Sequence, residues 1–440
     1  MEKHCTQSNN ITRDVSCLNT QQKLSLDSWG LPGPVVEAYA DKGIHQMFPW
    51  QIECLTKEGV LEGKNLVYTA PTSAGKTMVA EILMMKTVLE RKKKVLFILP
   101  FVSVVREKVH YFQKLYKGVG IKVDGWMGSY SPPGGSKMVN VMIATIEKAN
   151  NIINRLIEEN KLDRLGCVIV DEIHMRSGQG IMIPHNKVLH LVVNYSITKL
   201  NNTSKQEKYK IIGVTLTKLK YMHHRNKNIQ IQVVGMSATL PNLNVLAHWL
   251  DAVLYFTTFR PIPLREHLVI NSVAYALPSM SDGFNLKTLR DLEGCNEDVM
   301  YLCLDSILNS HSVLIFCPSK NWCETLANKI SAVIKKIGMS NTDTAHKIRS
   351  ILDTAALSDI LLQLSQCPAG MDAALKRSVS FGVGFHHAAL QLTRETLLKE
   401  STDTVPLIVG YVDVIPSDMF RVFTVVLAIR GGAMNSRNQG

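Results

Sequence analysis

Two short segments carry residue types that handle phosphate groups, and the first is APTSAGKT at residues 70–77. It follows an apolar run typical of a β-strand and precedes a helical pattern, which is the context that a phosphate-binding P-loop requires. We expect backbone N–H groups from Ser73 to Lys76 to surround phosphate oxygens at the helix N-terminus. Lys76 would neutralise the β- and γ-phosphates, and the Thr77 hydroxyl would coordinate Mg²⁺. The candidate phosphate-binding residues are Ala70, Pro71, Thr72, Ser73, Ala74, Gly75, Lys76 and Thr77.

The second segment is CVIVDEIH at residues 167–174, an apolar strand pattern that ends in two carboxylates. Carboxylates at this end of a strand lie where a parallel sheet binds its ligands. Asp171 is expected to hold Mg²⁺ opposite Thr77, and Glu172 to position and deprotonate an attacking water. His174 is expected to report the state of the γ-phosphate to another segment. Because Ala70 replaces the first glycine of the general P-loop pattern, the prediction depends on both segments occurring in this order and context.

Composition limits the classes of protein that fit. The 440 residues exceed the size of a single core, so we expect at least two domains. The 49 Lys and Arg against 37 Asp and Glu favour a polyanionic partner such as nucleic acid, although many basic proteins bind none. The nine cysteines form no CxxC pair, which argues against a zinc ribbon. Neither a signal peptide nor an apolar run of membrane-spanning length is visible, so we expect an intracellular protein without a membrane partner.

The pattern along the chain predicts an α/β fold. Apolar runs such as NLVYTA, VLFILP and CVIVDE alternate with helical stretches from residue 65 onward, which indicates a parallel sheet covered on both faces. We expect a loose tail over residues 1–23 and a first lobe over 24–265. An insertion or loop is expected around 175–228, where no clean motif appears. The second lobe is expected over 266–440.

The two phosphate segments, together with the SAT triplet at 237–239, resemble the first three core motifs of superfamily 2 helicases. The segments MFPWQIECL, LFILPFVSVVREK, SVLIFCPSKNWCE and FGVGFHHA narrow the resemblance to the polymerase theta-like branch of DNA helicases. It extends from about residue 24 to about residue 390, with a gap at 175–228. The resemblance implies two RecA-like lobes with mostly parallel sheets and ATP bound between them, the second lobe being incomplete.

The resemblance also assigns roles to individual residues. Gln51 matches the glutamine that recognises adenine, while Phe48 and Trp50 either shape that pocket or belong to the core. Ser237 and Thr239 match the element that couples the ATP state to nucleic-acid binding.

A further set falls where the family contacts a nucleic-acid backbone without recognising sequence. Each charge in the set, taken alone, is more often a solvated surface group. The set comprises Arg106, Ser129, Thr145, Lys148, Ser319 and His387.

The pattern of the family ends near residue 390, and no QxxGRxGR segment occurs in the sequence. In the family those arginines stabilise charge on the transferring phosphoryl group, which contributes about 10³–10⁵ in kcat. We therefore expect a chain that binds ATP and a strand but turns over slowly, as a fragment or variant product of a longer helicase would.

The function expected from the sequence is an ATP-dependent helicase or translocase, acting in the nucleus on single-stranded or branched DNA during repair. Two alternatives stay open. One is a nucleotide-dependent nucleic-acid-binding protein without motor activity. The other is an RNA helicase of the same superfamily, since no residue visibly senses a 2′-hydroxyl.

Overall fold

Parallel strands and crossover helices alternate through the first half of the protein. The computed structural model describes residues 23–173, 205–238, 243–263, 265–270, 272–276, 283–285, 298–309, 311–317, 320–352, 354–366, 373–386, 408–411 and 424–428. The chain divides into two units, residues 1–264 and 265–440. Within the described part of the chain, no helix combines the length and the apolar character needed to cross a bilayer.

The first unit contains seven strands and seven α-helices among its described residues. The strands are β1 (Asn65–Thr69), β2 (Lys94–Leu99), β3 (Val123–Trp126), β4 (Val141–Thr145), β5 (Leu165–Val170), β6 (Gln232–Ser237) and β7 (Ala252–Phe256). The helices are α1 (Gly33–Ala40), α2 (Pro49–Leu55), α3 (Lys76–Leu89), α4 (Val102–Leu115), α5 (Ile146–Glu158), α6 (Lys205–Arg225) and α7 (Leu243–Trp249).

All seven strands of this unit pair in parallel, in the order β3-β4-β2-β5-β6-β1-β7. Successive side chains of a strand point to opposite faces, so each strand contributes to two cores. Along β1, Leu66 and Tyr68 belong to a core with α1 to α4, whereas Val67 belongs to a core with α5 to α7. The predicted α/β fold with a parallel sheet covered on both faces is confirmed.

Helix α6 corrects the sequence reading of the 175–228 stretch. We expected an insertion or loop, and for Lys205–Arg225 the expectation of a loop is wrong. Leu216 and Leu219 are buried in the core beside α5, and Lys218 Nζ donates to Asn150 Oδ1 and Asn154 Oδ1 at 3.0 and 2.8 Å. Apolar residues at three- and four-residue spacing place one face on α5, a signal that the polar run NNTSKQEKYK at its start obscured.

The second unit is built from two smaller sheets and five helices among its described residues. The strands are β8 (His267–Ile270), β9 (Val273–Ala276), β10 (Gly283–Asn285), β11 (Ser312–Phe316), β12 (Val383–His386), β13 (Ile408–Tyr411) and β14 (Thr424–Ala428). The helices are α8 (Asp298–Leu308), α9 (Lys320–Gly338), α10 (Asp343–Ile351), α11 (Thr354–Ser365) and α12 (Ala373–Val379).

Strands β8 to β10 form an antiparallel meander, and the other sheet has the order β12-β13-β11-β14. Its first three strands are parallel, and β14 is antiparallel to β11. Strands β13 and β14 come from the part of the sequence that departs from the helicase pattern after residue 390. Their apolar runs LIVG and TVVLA still pair with the sheet.

Candidate nucleotide and nucleic-acid site

The loop between β1 and α3 has the backbone geometry of a phosphate-binding turn. Ser73 and Gly75 adopt left-handed φ values of 62° and 81°, and Gly75 is the N-cap residue of α3. The left-handed conformation favours glycine at Gly75, and a Cβ there would lie 2.7 Å from Gln51 Nε2 and displace that amide. The first turn of α3 therefore opens directly from the loop, with its N–H groups at the end that favours anions.

The side chain of Lys76 is held over this loop by backbone carbonyl groups of the loop itself. Its Nζ donates to the carbonyl oxygens of Ala70 at 3.0 Å and Pro71 at 3.1 Å, while its own carbonyl accepts from the Tyr68 hydroxyl at 2.8 Å. Burial lowers the pKa of Lys76, and the charges of Glu172 and Asp171 oppose this effect. The ammonium group is thus close to both carboxylates and fixed where phosphate oxygens would bind.

The two carboxylates follow β5 in a sharp turn. The Asp171 N–H continues the sheet by donating to the Ile98 carbonyl at 3.1 Å, and the Glu172 N–H donates to Asp171 Oδ1 at 2.9 Å. Glu172 has a left-handed φ of 53°. Burial first, and the charge of Glu172 second, raise the pKa of Asp171 to about 6. The turn therefore holds two acidic groups side by side, an arrangement that a cation would stabilise.

The oxygen ligands at this edge fit Mg²⁺. Thr77 supplies a hydroxyl and Asp171 a carboxylate, which are hard ligands of the kind that Mg²⁺ prefers. Among the described residues, no group of three or more His, Cys, Asp or Glu is arranged to hold a metal ion. The set suits an ion that takes its remaining ligands from phosphate oxygens and water, as Mg²⁺ does in nucleotide sites.

A cavity of about 560 Å³ adjoins the phosphate loop. Gln51 and Phe48 line it, and Phe48 packs against Phe259 with ring centroids 5.0 Å apart. Gln51 Oε1 accepts from the Phe48 N–H at 2.7 Å, and its Nε2 donates to the Gly75 carbonyl at 2.8 Å. These bonds fix the amide plane while leaving one N–H and one oxygen lone pair for a ligand.

Trp50 belongs mainly to the core, which resolves the two interpretations left open for the aromatic pair. Its ring is 3% exposed and stacks on Tyr255 at 6.3 Å, and its Nε1 donates to the Ala74 carbonyl at 3.1 Å. Trp50 thus supports the phosphate loop from behind, whereas Phe48 lines the cavity.

The carboxyl edge of the sheet brings the predicted site residues together in two groups. The candidate nucleotide residues follow β1 and β5, and Ser237 ends β6; these three strands are neighbours in the sheet. Candidate strand-contacting residues follow β2 (Arg106), β3 (Ser129) and β4 (Thr145 and Lys148), which are the three strands on the other side. The boundary between the two groups of residues lies between the neighbouring strands β2 and β5. Lys108 of α4 lies close enough to Asp171 for its charge to lower the pKa of Asp171, against the larger effect of burial.

Individual residues of the strand-contacting group differ in exposure. Arg106 and Ser129 are exposed, and Lys148 is half-buried. Thr145 is 5% exposed, so its side chain belongs to the interior, and the position offers a strand the start of α5 rather than a free hydroxyl. Ser237 is fully buried, and its carbonyl accepts from the Ala70 N–H at 3.2 Å, which ties β6 to the phosphate loop. His174, Thr239, Ser319 and His387 lie outside the described residues.

Sequence reasoning missed four residues around the cavity. Tyr68 supports Lys76, and Tyr39, Glu81 and Tyr111 line the cavity floor. The sequence does contain one indication of this group, which is the acidic residue Glu81 in the apolar run MVAEILMM. Glu81 lies four positions after Thr77, on the same face of the predicted helix.

Comparison with known proteins places these features in a family. The family model described as DEAD/DEAH box helicase matches residues 49–246. DNA polymerase theta of Drosophila melanogaster is 42% identical over 388 residues, which cover 87% of this chain and 17% of that protein. The human protein named Helicase POLQ-like is 33% identical over 387 residues, covering 86% of this chain and 31% of that protein.

A more distant relative is the ATP-dependent DNA helicase Hel308 of Methanococcus vannielii, 28% identical over 368 residues, which cover 81% of this chain and 42% of that protein. The chain thus spans less than half the length of each of these relatives. Residues 49–246 form a DEAD/DEAH box helicase domain, and the chain is homologous to the helicase-like domain of DNA polymerase theta and to POLQ-like helicases.

Proposed function

We propose that the chain is an ATP-dependent DNA helicase or translocase that acts on single-stranded or branched DNA in repair, within the nucleus. The observation that supports the proposal is the strand order, in which the candidate nucleotide residues (the nucleotide half) follow or end β5, β6 and β1, and the candidate strand-contacting residues (the strand half) follow β3, β4 and β2, at one edge of the sheet. Relatives named DNA polymerase theta and ATP-dependent DNA helicase support DNA as the substrate and ATP as the energy source.

In this proposal each residue of the nucleotide half has one task. Lys76, held by the Ala70 and Pro71 carbonyls, neutralises the β- and γ-phosphates. Thr77 and Asp171 would hold Mg²⁺, which would supply positive charge against the phosphoryl oxygens. Glu172 orients a water molecule and accepts its proton as the water oxygen attacks the γ-phosphorus, whose bond to the β–γ bridging oxygen breaks so that ADP leaves.

Gln51 recognises the adenine base. Its remaining N–H and oxygen lone pair match the N7 acceptor and the N6 amino donor of adenine, which an amide binds as a pair. His174 is proposed to report the γ-phosphate, and Ser237 with Thr239 to couple the nucleotide state to the strand.

The strand half is proposed to bind the backbone without recognising sequence. Arg106 and Lys148 supply charge, Ser129 supplies a hydroxyl, and the start of α5 after Thr145 supplies backbone N–H groups. Ser319 and His387 are proposed to contact the strand from the second unit.

The test is phosphate release from ATP by the whole chain, with and without single-stranded DNA, for the wild type and Glu172→Gln. The proposal expects release that DNA stimulates and that Glu172→Gln reduces by about 10²-fold or more, as loss of a general base does. ATP and DNA binding without any release would instead support a nucleotide-dependent binding protein. Equal stimulation by RNA, in competition with DNA of the same sequence, would overturn the choice of DNA.

A further inference from the structure

A buried carboxyl group lies beneath the nucleotide cavity, where none of the proposed steps uses it. Glu81 is 1% exposed and lies one turn after Thr77 on α3. The surrounding residues of the helix are apolar, so an acidic group here is stable only if hydrogen bonds compensate for its lost hydration.

Tyrosines of two other helices lie close to this carboxyl group, and one of them supplies a hydrogen bond. The Tyr39 hydroxyl of α1 donates to Glu81 Oε2, and Tyr111 of α4 is near enough for Glu81 to raise its pKa, beyond the larger effect of burial. Lys42 Nζ lies 3.9 Å from the centroid of the Tyr111 ring, and Lys108 Nζ lies 5.2 Å from it. Glu81 is therefore the point at which α1, α3 and α4 meet below the cavity.

Tyr39 links this carboxyl to the wall of the cavity. Its carbonyl oxygen accepts from the N–H groups of Lys42 at 3.0 Å and Ile44 at 2.9 Å, so its position sets the turn that follows α1. Residues 43–46 of that turn line the cavity. The chain then reaches Phe48, whose N–H holds Gln51 Oε1.

We propose that Glu81, acting through Tyr39, positions the 43–51 wall of the cavity and so determines the preference of the proposed nucleotide site for adenine over guanine. Guanine carries an acceptor at O6 where adenine carries the N6 amino donor. Gln51 distinguishes the two only while its amide plane is fixed, because a rotated amide presents its N–H to O6. Glu81 is a positioning residue in this scheme and does not touch the base.

The inference rests on the proposed nucleotide site, and its test separates the two. Affinities for ATP, GTP and inorganic tripolyphosphate are measured by displacement of a fluorescent ATP analogue from the whole chain, with Mg²⁺ present. Tripolyphosphate has no base, so it reports the phosphate loop alone.

The variants are Glu81→Met, Tyr39→Phe and the double variant. Each single substitution is expected to lower the ratio of ATP affinity to GTP affinity by about fivefold or more, while the double variant loses no more than either, because coupled residues are not additive. Tripolyphosphate affinity is expected to stay within about twofold of the wild type, since Lys76 and its loop are unchanged.

Tyr116→Phe is the matched control. Tyr116 is also a buried tyrosine near Glu81, but its hydroxyl has no hydrogen-bond partner among the described residues, and the residue does not line the cavity. The control is expected to keep the wild-type ratio, which separates the proposed role from a general effect of removing a buried hydroxyl.

An unchanged ratio in Tyr39→Phe, an equal loss of ATP and tripolyphosphate affinity, or equal wild-type affinities for ATP and GTP would each overturn the inference. The proposed nucleotide site fails separately if wild-type ATP binding is absent or insensitive to Lys76→Ala.

Discussion

Gly75 combines the left-handed backbone of the phosphate loop with a close contact to Gln51, the residue proposed to recognise adenine. Its φ of 81° strains any residue with a side chain, and a Cβ at this position would lie 2.7 Å from Gln51 Nε2, so that Gln51 would have to move. Gly75→Ala should lose about 1–2 kcal/mol of stability from the left-handed backbone, and should also lose ATP affinity because Gln51 must shift. Urea denaturation and ATP titration measure the two effects.

Gly120→Ala is the control for this prediction. Gly120 also has a positive φ, of 77°, but nothing lies within 4 Å of the position of its Cβ. Gly120→Ala should therefore lose about as much stability as Gly75→Ala but keep the ATP affinity of the wild type. A similar loss of ATP affinity in both variants would mean that the contact with Gln51 is irrelevant.

Glu81 makes a prediction about the pH dependence of stability. Burial raises its pKa above the ordinary value of 4.5. A carboxyl whose pKa is higher in the folded state stabilises the fold below its unfolded pKa, and that contribution is lost as pH rises through the folded pKa. The stability of Glu81→Met, relative to the wild type, should therefore increase as pH rises above 4.5.

Urea midpoints of the wild type and Glu81→Met, taken at several pH values from 4.5 upward, measure this difference. Other titrating groups are common to both proteins and cancel. A constant difference between the two midpoints across the range would show that Glu81 has the same pKa in both states.

At the residue scale the sequence predicted the positions of the phosphate loop and the carboxylates relative to the strands, because this spacing is set locally. Lys76 and Asp171 lie together near the carboxyl edge of the sheet. Glu81 was not predicted, because its role depends on Tyr39 and Tyr111, which lie 42 and 30 positions away and approach it only in the folded chain.

At the scale of elements, helix α6 should be an integral part of the first unit. Leu216→Ala is expected to destabilise the protein by about 2–4 kcal/mol, because Leu216 is 3% exposed in the core beside α5. Tyr221→Ala, at a position 44% exposed on the same helix, should change stability by about 0.5 kcal/mol or less. Urea denaturation compares the two.

Hydrogen exchange gives an independent view of the same helix. Amides of residues 211–222 should be protected as well as those of α5, since one core covers both. If these amides exchanged at the rate of an unstructured chain, and if Leu216→Ala and Tyr221→Ala were equally stable, α6 would not be part of the core of the first unit.

The elements were predictable where periodicity was strong. The strands NLVYT, KVLFIL and LGCVIV are apolar on both faces, as a covered parallel sheet requires, and all were expected. Helix α6 was not, because it has polar ends and begins after a long stretch without a motif. The burial of Thr145 was also missed, since the hydroxyl at the start of α5 is buried only once β4 is paired on both sides, with β3 and β2.

At the scale of the whole molecule, the formal charge of +12 should make strand binding strongly dependent on salt. Each phosphate contact on a single strand contributes about 0.7 to the slope of log K against log salt concentration. Arg106→Ala should therefore reduce the magnitude of the slope by about 0.7, at equal cost for every DNA sequence. Fluorescence anisotropy with labelled single strands at several salt concentrations measures it.

Lys117→Ala controls for the general loss of charge. Lys117 is exposed and follows the far end of α4, away from the carboxyl edge of the sheet. For Lys117→Ala, the slope of log K against log salt concentration should be close to that of the wild type. If both variants change it equally, the strand is bound by overall charge and not by the strand half of the edge.

The phosphate loop and the paired carboxylates are proposed to form one Mg²⁺-dependent ATP site. The most direct measurement is equilibrium ATP binding to the whole chain, with and without Mg²⁺, for the wild type, Lys76→Ala and the control Lys117→Ala. We expect Mg²⁺-dependent binding in the wild type and the control, and at least about a tenfold loss of ATP affinity in Lys76→Ala, whose folded state circular dichroism verifies. Wild-type ATP affinity in folded Lys76→Ala would show that the loop lysine does not bind the phosphates.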